Sequence, residues 1–579
     1  MHRSLAILLL FLGSPTHAAP SVRTIAALSP AATRARGAAL PFDEYEAEKA
    51  ITNGVVIGPD RTFTTIAAEA SGRRAVRLSR TGDYVEFTLA KAANAVTVRA
   101  AIPDGDKGEG RDATLGVFAD GKPLGDLVLT SRYGWYYGTY PFSNGPEDGN
   151  GHHVFDEARL LFGHSLPAGT RVRFELRDHD RSPWYVVDLA DFEDVPPPLA
   201  RPRGAISVVD FGADPAGVGL SAEAFARAIA AASSGHKILW IPPGTFRVDG
   251  HLLVDQVHIE GAGVWYSVVR GRGLGFYGRA APAQSTDVRL EHFAIMGEIT
   301  ERIDRDQVNG IGGAMGGGSI IRDLWIQHVK VGLWFDGPMR GIRISRLRIL
   351  DTTADGLNFH RGVSDAVVEN NFVRNTGDDG LAAWSGQMAD HHITFRRNTI
   401  IAPILANGIA VYGGHDIRVS GNLIADTLTE GGGLHLGNRF AAVPASGKIL
   451  FDHNTVLRSG SIDPQSHAGT GALWFYALDA PISAGIIVRD NALIDSTREA
   501  VQFTGKRIQQ VWLKALSIRG AHGPTLLLQS AGVAHLSDSN AAEVDTPMIR
   551  RCNPAFRLTQ SNQKPMLVQD SINCAWLEK

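Results

Sequence analysis

The sequence predicts an all-β protein, in which an N-terminal β-sandwich is followed by a parallel β-helix. A glycine followed by an apolar residue recurs about every 24 residues, and short alternating strands lie between these pairs. Such a period marks a solenoid in which one repeat is one rung. The pairs are Gly332-Leu333, Gly356-Leu357, Gly380-Leu381, Gly408-Ile409 and Gly433-Leu434. The 64 glycines among 579 residues are typical of a turn-rich β protein.

The composition indicates a large globular protein. A hydrophobic share of 44% with only 20% charged residues suits a large globular core, and the length allows two or more domains. The net charge of −3 gives no reason to expect a nucleic-acid partner.

The first 18 residues predict a signal peptide. A polar start at residues 2–3 precedes an apolar run from Leu5 to Leu12, and Thr16-His17-Ala18 resembles a cleavage site. The run is too short to span a bilayer, although a buried N-terminal helix is an alternative. We expect export to the periplasm or the extracellular space, no membrane association, and a flexible leader over residues 19–40.

Residues 41–196 predict the sandwich, because short alternating strands such as Asp83–Leu89 are separated by Gly and Asp turns. A proline-rich linker is expected at 197–207. The β-helix follows over 208–579, and a segment with Phe225, Ile229 and Ala230 at helical spacing is expected to cap its open end.

Two further patterns refine the β-helix. Asparagines recurring at one phase predict a buried ladder, formed by Asn371, Asn398, Asn422, Asn454 and Asn491. The repeat lengthens after Gly433, which predicts an insertion between 436 and 470. Cys552 and Cys574 are expected to form a disulfide in an exported protein, with two buried thiols as the alternative.

Three aspartates are the candidate catalytic residues. Asp355 and Asp379 precede the repeating glycine on consecutive rungs, so they should stack about 5 Å apart. Asp378 adjoins Asp379, and the flanking Gly377 and Gly380 favour a turn that aims both at one groove. Like charges so close raise at least one pKa, which supplies a protonated acid beside ionised bases, as glycoside hydrolysis requires.

Other interpretations of these acids remain open. A Gly-Asp-Asp-Gly segment can be plain turn chemistry. The carboxylates could also hold calcium in a polysaccharide lyase, with Arg361 or Arg374 as the basic group. A β-helix that binds glycan without cleaving it is a third possibility.

Aromatic and polar residues near the same phase are candidates for binding sugar, because sugar rings stack on aromatic faces and hydroxyls need polar partners. They are Trp334, Asn358, His360, Trp384, Asn407, Tyr412, Glu430, His435 and Trp474.

Ala-Asp-Gly-Leu-Asn at 354–358 and Gly-Asp-Asp-Gly-Leu-Ala at 377–382 resemble glycoside hydrolase family 87, the α-1,3-glucanases and mycodextranases. The resemblance extends more weakly over about residues 40–550. It implies a right-handed β-helix and inverting hydrolysis of α-1,3 linkages in an α-glucan by Asp355, Asp378 and Asp379, with no catalytic cofactor and a monomeric enzyme.

Under this resemblance, one of Asp378 and Asp379 is the general acid, and the other activates water together with Asp355. Inversion normally needs carboxylates about 6.5–9.5 Å apart. Family 49 dextranases and polygalacturonases share the arrangement, but the polygalacturonase Gly-His-Gly motif is poorly matched by Gly413-Gly414-His415.

The N-terminal domain resembles galactose-binding-like carbohydrate-binding modules at Tyr45-Glu46-Ala47-Glu48, Gly82-Asp83-Tyr84-Val85 and Val187-Asp188-Leu189. The resemblance implies a structural Ca²⁺ held by Glu46, Glu48 and Asp188, with ordinary surface acids as the alternative. The run Tyr133–Tyr137 could stack on sugar or pack against the second domain.

Overall fold

The computed structural model describes residues 35–62, 64–138, 143–145, 147, 151–463, 468–544, 546–571 and 574. The predicted signal peptide and residues 19–34 of the predicted leader lie outside these residues. Within them, the predicted order of an antiparallel sandwich followed by a parallel β-helix is confirmed. No described helix is long and apolar enough to cross a membrane.

The sandwich consists of two antiparallel sheets that enclose one apolar core. The first sheet contains Asp156–Leu166, Ala93–Ala101, Tyr185–Glu193, Ala75–Leu78 and Val55–Ile57, with Phe42–Glu46 paired to Tyr185–Glu193. The second contains Ile51–Thr52, Tyr84–Thr88, Arg171–Glu175, Asp112–Ala119 and Lys122–Thr130. A small ribbon pairs Trp135–Tyr136 with His152–His153. Short helices lie at Ala47–Lys49, Ile66–Glu69 and Ser71–Arg73.

The β-helix has three parallel sheets, which we call faces 1, 2 and 3. Face 1 contains Ile206–Ser207, Ile238–Ile241, His258–Gly261, Arg289–Glu291, Ser319–Arg322, Met339–Ser345, Val363–Glu369, Thr394–Arg396, His415–Ser420, Ser446–Asp452, Ile482–Arg489, Ile508–Lys514, Gly532–Ser537 and Phe556–Ser561. Face 2 contains Gly244–Arg247, Ser267–Arg270, Ala294–Met296, Trp325–Gln327, Arg348–Thr352, Phe372–Thr376, Thr399–Ile401, Leu423–Ala425, Thr455–Leu457, Ala492–Ser496, Ser517–Ala521 and Asn540–Ala542. Face 3 contains His251–Leu253, Gly275–Tyr277, Ile311–Gly313, Leu333–Asp336, Leu357–His360, Leu381–Trp384, Ile409–Tyr412, Leu434–Asn438, Leu473–Ala477, Val501–Gly505, Pro524–Leu528, Thr546–Arg551 and Leu567–Asp570. Two short pairs, Ser285–Thr286 with Met315–Gly316 and Ser461–Ile462 with Gly469–Thr470, complete the strands.

The recurring glycines lie where consecutive rungs come closest. A side chain on Gly356 would place its Cβ 2.4 Å from the carbonyl oxygen of Gly380, and Gly332 meets Gly356 in the same way. The apolar residue after each glycine points into the core. Close backbone stacking therefore explains the repeat that the sequence displays.

The asparagine ladder is confirmed. Asn371 Nδ2 donates to Asn398 Oδ1 over 2.9 Å. The same bond joins Asn398 to Asn422, Asn422 to Asn454, and Asn454 to Asn491. All five asparagines are buried. Their side-chain hydrogen bonds to the neighbouring rungs supply the partners that buried amide groups need.

The ends of the β-helix follow the prediction with small differences. The helix Ala222–Gly235 buries Phe225 and Ile229 on the first rungs, but Ala230 is exposed and Ala228 takes its place. A short helix at Val208–Phe211 precedes it. The Cys552–Cys574 disulfide is present. The longer rung comes from residues 439–445 and the pairing of Ser461–Ile462 with Gly469–Thr470, within the predicted insertion.

The described end of the predicted leader is bound to the β-helix, in contrast to the flexible segment we expected. Arg36 donates to the backbone oxygens of Asn454 and Asp490 over 3.0 and 2.9 Å, and Gly37 N donates to Gly421 O over 2.8 Å. Parallel pairing begins at Ile206, inside the predicted linker.

The sandwich docks on face 2 through a buried ionic cluster and apolar contacts. Arg374 is fully buried, and it binds Glu157 at 2.6 and 2.7 Å, Asp191 at 2.6 Å and Glu44 at 3.1 Å. Beside it, Phe42 packs edge-on against Phe372, with ring centroids 5.2 Å apart. One guanidinium therefore compensates three carboxylates of the sandwich.

We expect Arg374→Met to lower the free energy of unfolding by about 3–5 kcal/mol at pH 8, because it leaves buried carboxylates without a counterion. The loss should shrink as the pH falls, since burial already raises the pKa of Asp191 to about 6. Protonated carboxyl groups need no counterion. Chemical denaturation at several pH values measures both effects.

Arg340→Met is the matched control, because Arg340 is largely exposed and binds Asp365 on the surface. We expect a change within about 1 kcal/mol. Equal stability of Arg374→Met and the wild type at pH 8 would show that the ionic cluster does not hold the domains together.

Candidate active site

The outward side of face 3 forms a continuous polar and aromatic surface. Residues alternate between the core and the outside along each strand, and parallel pairing brings the outward residues of neighbouring rungs into rows. One row contains Trp334, Asn358, Ala382, Ala410, His435 and Trp474, and the other contains Asp336, His360, Trp384, Tyr412, Gly437 and Tyr476.

Asp355, Asp378 and Asp379 come together at the turns that lead into face 3. One carboxylate oxygen from each lies within 4.8 Å of the others. Asp355 and Asp379 are 7% and 3% exposed, whereas Asp378 is only partly buried. Their rungs are stacked directly, since Gly356 N donates to Asp379 O over 2.9 Å. The predicted convergence of the three acids is therefore present in the structure.

The turn before Asp379 aims both neighbouring aspartates toward the same place. Asp378 N donates to Ala354 O over 3.2 Å, and Asp379 N donates to the side chain of Asp378 over 2.9 Å. Gly377 leaves no room for a side chain, because a Cβ there would lie 2.3 Å from Thr353 O. Close packing against the previous rung thus fixes this turn.

Asp379 is held by three donors. Asn407 donates to Oδ1 from its backbone N over 2.8 Å and from Nδ2 over 2.9 Å, and the Tyr412 hydroxyl donates to Oδ2 over 2.8 Å. Burial, followed by the charge of Asp378, raises the pKa of Asp379 to about 7 although these hydrogen bonds oppose the rise. Asp379 therefore gains or loses its proton near neutral pH.

Asp355 is more strongly perturbed. Burial and the charges of Asp378 and Asp379 hold its pKa well above the usual range for an aspartate. Asn358 Nδ2 donates to it over 3.3 Å, which offsets only part of the cost. Burial and like charges therefore favour the protonated form of Asp355.

Asp378 has a partner that the sequence analysis missed. Arg302 Nη1 lies 2.7 Å from Asp378 Oδ2. Arg302 belongs to residues 297–310, which contain no strand and connect face 2 to face 3. No repeat phase governs this connection, so the sequence carries no signal that would have located it.

The predicted sugar-binding residues fall into three groups. Asn358, Asn407 and Tyr412 contact the aspartates directly. Trp334, His360 and Trp384 form a partly exposed aromatic cluster, with the rings of His360 and Trp384 4.5 Å apart. His435 and Trp474 are buried, with rings 4.4 Å apart, and pack beside Tyr412. Glu430 is partly buried in the turn before Gly431.

The burial of His435 limits its possible roles. Burial and the nearby Arg439 hold its pKa well below the ordinary value, so the ring is neutral. His435 and Trp474 leave almost no surface for a ligand, and they support Tyr412 from behind. Arg439, which stacks on Phe440 at 4.1 Å, is a second basic residue on this face that we did not predict.

The basic residues considered for a lyase lie elsewhere. Arg361 binds Asp336, with Nε 2.9 Å from Oδ1, and Arg374 is buried against the sandwich. The three aspartates could hold a cation by distance alone. Such an ion would have to compete with the Arg302 guanidinium for Asp378.

The predicted calcium ligands Glu46, Glu48 and Asp188 differ in their surroundings, and a structural calcium at them stays a prediction. Asp188 is fully buried and forms an ion pair with Arg99, so a protein cation already neutralises it. Glu46 and Glu48 each keep one buried oxygen without a hydrogen-bond partner. Because Asp188 is buried, the alternative that these three residues are ordinary surface acids does not hold for it. Nearby, Tyr137 donates its hydroxyl proton to Thr353 O over 2.8 Å, so the Tyr133–Tyr137 run packs against the β-helix.

Comparisons with known proteins agree with this architecture. The family of α-1,3-glucanase catalytic domain D1 matches residues 39–195, and a pectate lyase-like family of rhamnogalacturonase A and epimerase matches residues 205–424. No curated protein matches the chain in a sequence search.

Solved structures are similar over nearly the whole chain. The catalytic unit of a thermostable glycoside hydrolase family 87 α-1,3-glucanase from Streptomyces thermodiastaticus strain HF3-3 is 39% identical, with a TM-score of 0.84, covering 92% of this chain and 98% of that one. The Agl-KA catalytic domain is 27% identical with a TM-score of 0.84, covering 91% and 99%. A family 87 catalytic domain in complex with nigerose is 24% identical with a TM-score of 0.75, covering 90% and 99%.

The raised pKa of Asp379 predicts a cost in stability. A carboxyl group whose pKa is higher in the folded state than in the unfolded state destabilises the fold above the folded pKa. This cost disappears as the pH falls through about 7 toward the ordinary value near 4. We therefore expect Asp379→Asn to be more stable than the wild type by at least about 1 kcal/mol at pH 8, and by progressively less toward pH 4.

Thermal denaturation from pH 4 to pH 8 measures this difference, and Asp365→Asn on the surface is the control. A stability gain that is absent at pH 8, or that grows as the pH falls, would contradict the assignment of a raised pKa to Asp379.

Proposed function

The chain belongs to glycoside hydrolase family 87, the α-1,3-glucanases, and we propose that it is an exported enzyme that hydrolyses α-1,3-glucosidic linkages of an α-glucan. One observation carries the catalytic part of this proposal: three carboxylates lie within 4.8 Å at the turns that lead into face 3, where burial and like charges raise the pKa of Asp355 and Asp379. A glycoside hydrolase needs both a protonated acid and an ionised base at the scissile bond.

The spacing of the aspartates supports their assignment as catalytic residues. Structures of a family 87 catalytic domain with nigerose or tetrasaccharides include three variants, each with a different aspartate changed to alanine. Along that chain the three aspartates are separated by 23 residues and then by 1. Asp355, Asp378 and Asp379 have the same two intervals.

We propose that one of Asp378 and Asp379 protonates the glycosidic oxygen, while the other, with Asp355, removes a proton from the attacking water. Two carboxylate oxygens roughly 4.5 Å apart can share one water through hydrogen bonds of about 2.7 Å. The proton from water returns to the cluster as the acid gives its proton to the leaving sugar. No metal enters this scheme, and Arg302 supplies the positive charge beside Asp378.

The close spacing bears on the stereochemistry. Two-carboxylate inverting enzymes keep their groups about 6.5–9.5 Å apart, and retaining enzymes keep them about 5–5.5 Å apart. The closest oxygens here lie within 4.8 Å, which differs from the wide separation we expected. We retain inversion as the proposal, because two of the three carboxylates can hold a water while the third serves as the acid.

Proton NMR of the first products tests both the linkage and the stereochemistry. The enzyme is incubated with α-1,3-glucan, nigeran, dextran and pectin, once in chelator and once in calcium. We expect reducing sugars from α-1,3-glucan or nigeran, with the β-anomer appearing first because inversion converts the α linkage. An α-anomer appearing first would contradict inversion, and unsaturated products that require calcium would replace the hydrolase with a lyase.

Replacing each aspartate tests its role. We expect Asp355→Asn, Asp378→Asn and Asp379→Asn each to lower kcat by about 10²–10⁴-fold, because each variant removes proton transfer or water activation. Their far-ultraviolet circular dichroism should match the wild type. Asp336→Asn, on the same face but bound to His360 and Arg361, is the control and should keep activity within roughly tenfold.

Near-normal turnover in any one of the three variants would remove that residue from the mechanism. Loss of all activity in the Asp336→Asn control would show that the measurement does not separate catalysis from the integrity of the face.

A further inference from the structure

The connection that contains Arg302, residues 297–310, is hydrogen-bonded to Lys330 of the β-helix. Lys330 Nζ, which is mostly buried, donates to the carbonyl oxygens of Asp304 over 2.9 Å, Ile303 over 3.4 Å and Asp306. These bonds fix the backbone that follows Arg302 without relying on regular secondary structure. The connection is therefore an ordered wall beside the three aspartates.

The same connection is held from the other side by the N-terminal domain. Asn144 Nδ2 donates to Arg302 O over 2.9 Å, and Arg302 N donates to Asn144 Oδ1 over 3.2 Å. This reciprocal pair fixes the backbone of one residue. Tyr137 lies beneath the guanidinium, with its ring centroid 5.9 Å from the central carbon, and its hydroxyl binds Thr353, two residues before Asp355.

We propose that the N-terminal domain is part of the catalytic apparatus, because it positions Arg302 against Asp378 and thereby sets the charge state of the three aspartates. Arg302 acts through Asp378 and is therefore a positioning residue. The inference rests on the proposed function, and it gives the N-terminal domain a role in catalysis that does not depend on binding sugar.

Several charged and titratable groups surround the contact between Arg302 and Asp378. Arg302 and Asp378 face Asp304, Lys330, Tyr137, Asp355, Asp379 and Tyr412. Burial alone would lower the pKa of Arg302, but Asp378 and its other neighbours raise it, so the guanidinium stays charged. That charge also opposes the rise in the pKa of Asp355.

Removal of the guanidinium has a defined direction. Without it, the negatively charged form of the aspartate cluster loses a stabilising neighbour, and the pKa of Asp355 rises. Both the ionisation of a base and the deprotonation of an acid then occur at higher pH. The pH profile of kcat/KM should therefore shift upward whichever of Asp378 and Asp379 is the acid.

The test compares pH profiles of hydrolysis of α-1,3-glucan by full-length variants. We expect Arg302→Gln to shift the profile upward by about 1 pH unit, because an opposite charge at this distance lowers a carboxyl pKa by about 1–3. Arg302→Lys should restore most of the wild-type profile. Asn144→Ala should shift the profile in the same direction by less, since it frees the backbone but keeps the charge.

Two further variants separate positioning from a general structural effect. Tyr266→Phe removes a different contact between the β-helix and the end of the sandwich, the 2.9 Å hydrogen bond from the Tyr266 hydroxyl to Pro196 O. This contact lies away from the aspartates, so its loss should leave the pH profile unchanged. Asn144→Ala combined with Arg302→Gln should add no shift beyond Arg302→Gln alone, because both act through one contact. Thermal denaturation confirms that each variant is folded.

The outcomes are distinguishable from a failure of the proposed function. A wild type that does not release sugar from α-1,3-glucan contradicts the function. An active wild type, with profiles of Arg302→Gln and Asn144→Ala that match it, overturns the positioning role while the function stands. A shift in Tyr266→Phe equal to that in Asn144→Ala would also overturn it.

Discussion

Rung stacking is the constraint on which the structure depends. Each turn of the β-helix places its residues about 5 Å above those of the previous turn, so side chains of equal phase must tolerate one another. Glycines satisfy this where backbones touch, and asparagines satisfy it by exchanging hydrogen bonds in a ladder. Aspartates at the same phase cannot satisfy one another in either way. Repulsion between the carboxylates of Asp355 and Asp379 therefore opposes folding, whereas the asparagine ladder stabilises it.

The surrounding structure makes this cost tolerable. Asn407 and Tyr412 donate to Asp379, and Arg302 compensates Asp378, while a proton remains with the cluster. The N-terminal domain docks through the buried Arg374 cluster and contacts one of these partners, because Asn144 exchanges hydrogen bonds with the backbone of Arg302 and Tyr137 lies beside its guanidinium. Chemistry and domain docking are thus linked, because the domain that stabilises face 2 also completes one wall of the active site.

The repeat made much of this arrangement predictable from the sequence. The phase of the glycines located the face-3 strands, the asparagine ladder and the convergence of Asp355, Asp378 and Asp379, because stacking converts sequence intervals into proximity. Arg302 and Arg439 were not predictable as neighbours of the site, since irregular connections and the insertion obey no period. Burial was also misjudged: His435 and Trp474 share the outward phase, yet neighbouring rings cover them.

The central claim is that stacking keeps a proton on the aspartate cluster at neutral pH. Titration of ¹³C-labelled aspartate carboxyl groups by NMR tests it most directly, with Asp379→Asn used to assign the signals. We predict that at least one carboxyl group of the cluster, identified by its loss in Asp379→Asn, titrates near pH 7 in the wild type. If every carboxyl group of the cluster titrated below about pH 5, as unperturbed aspartates do, the account would be contradicted.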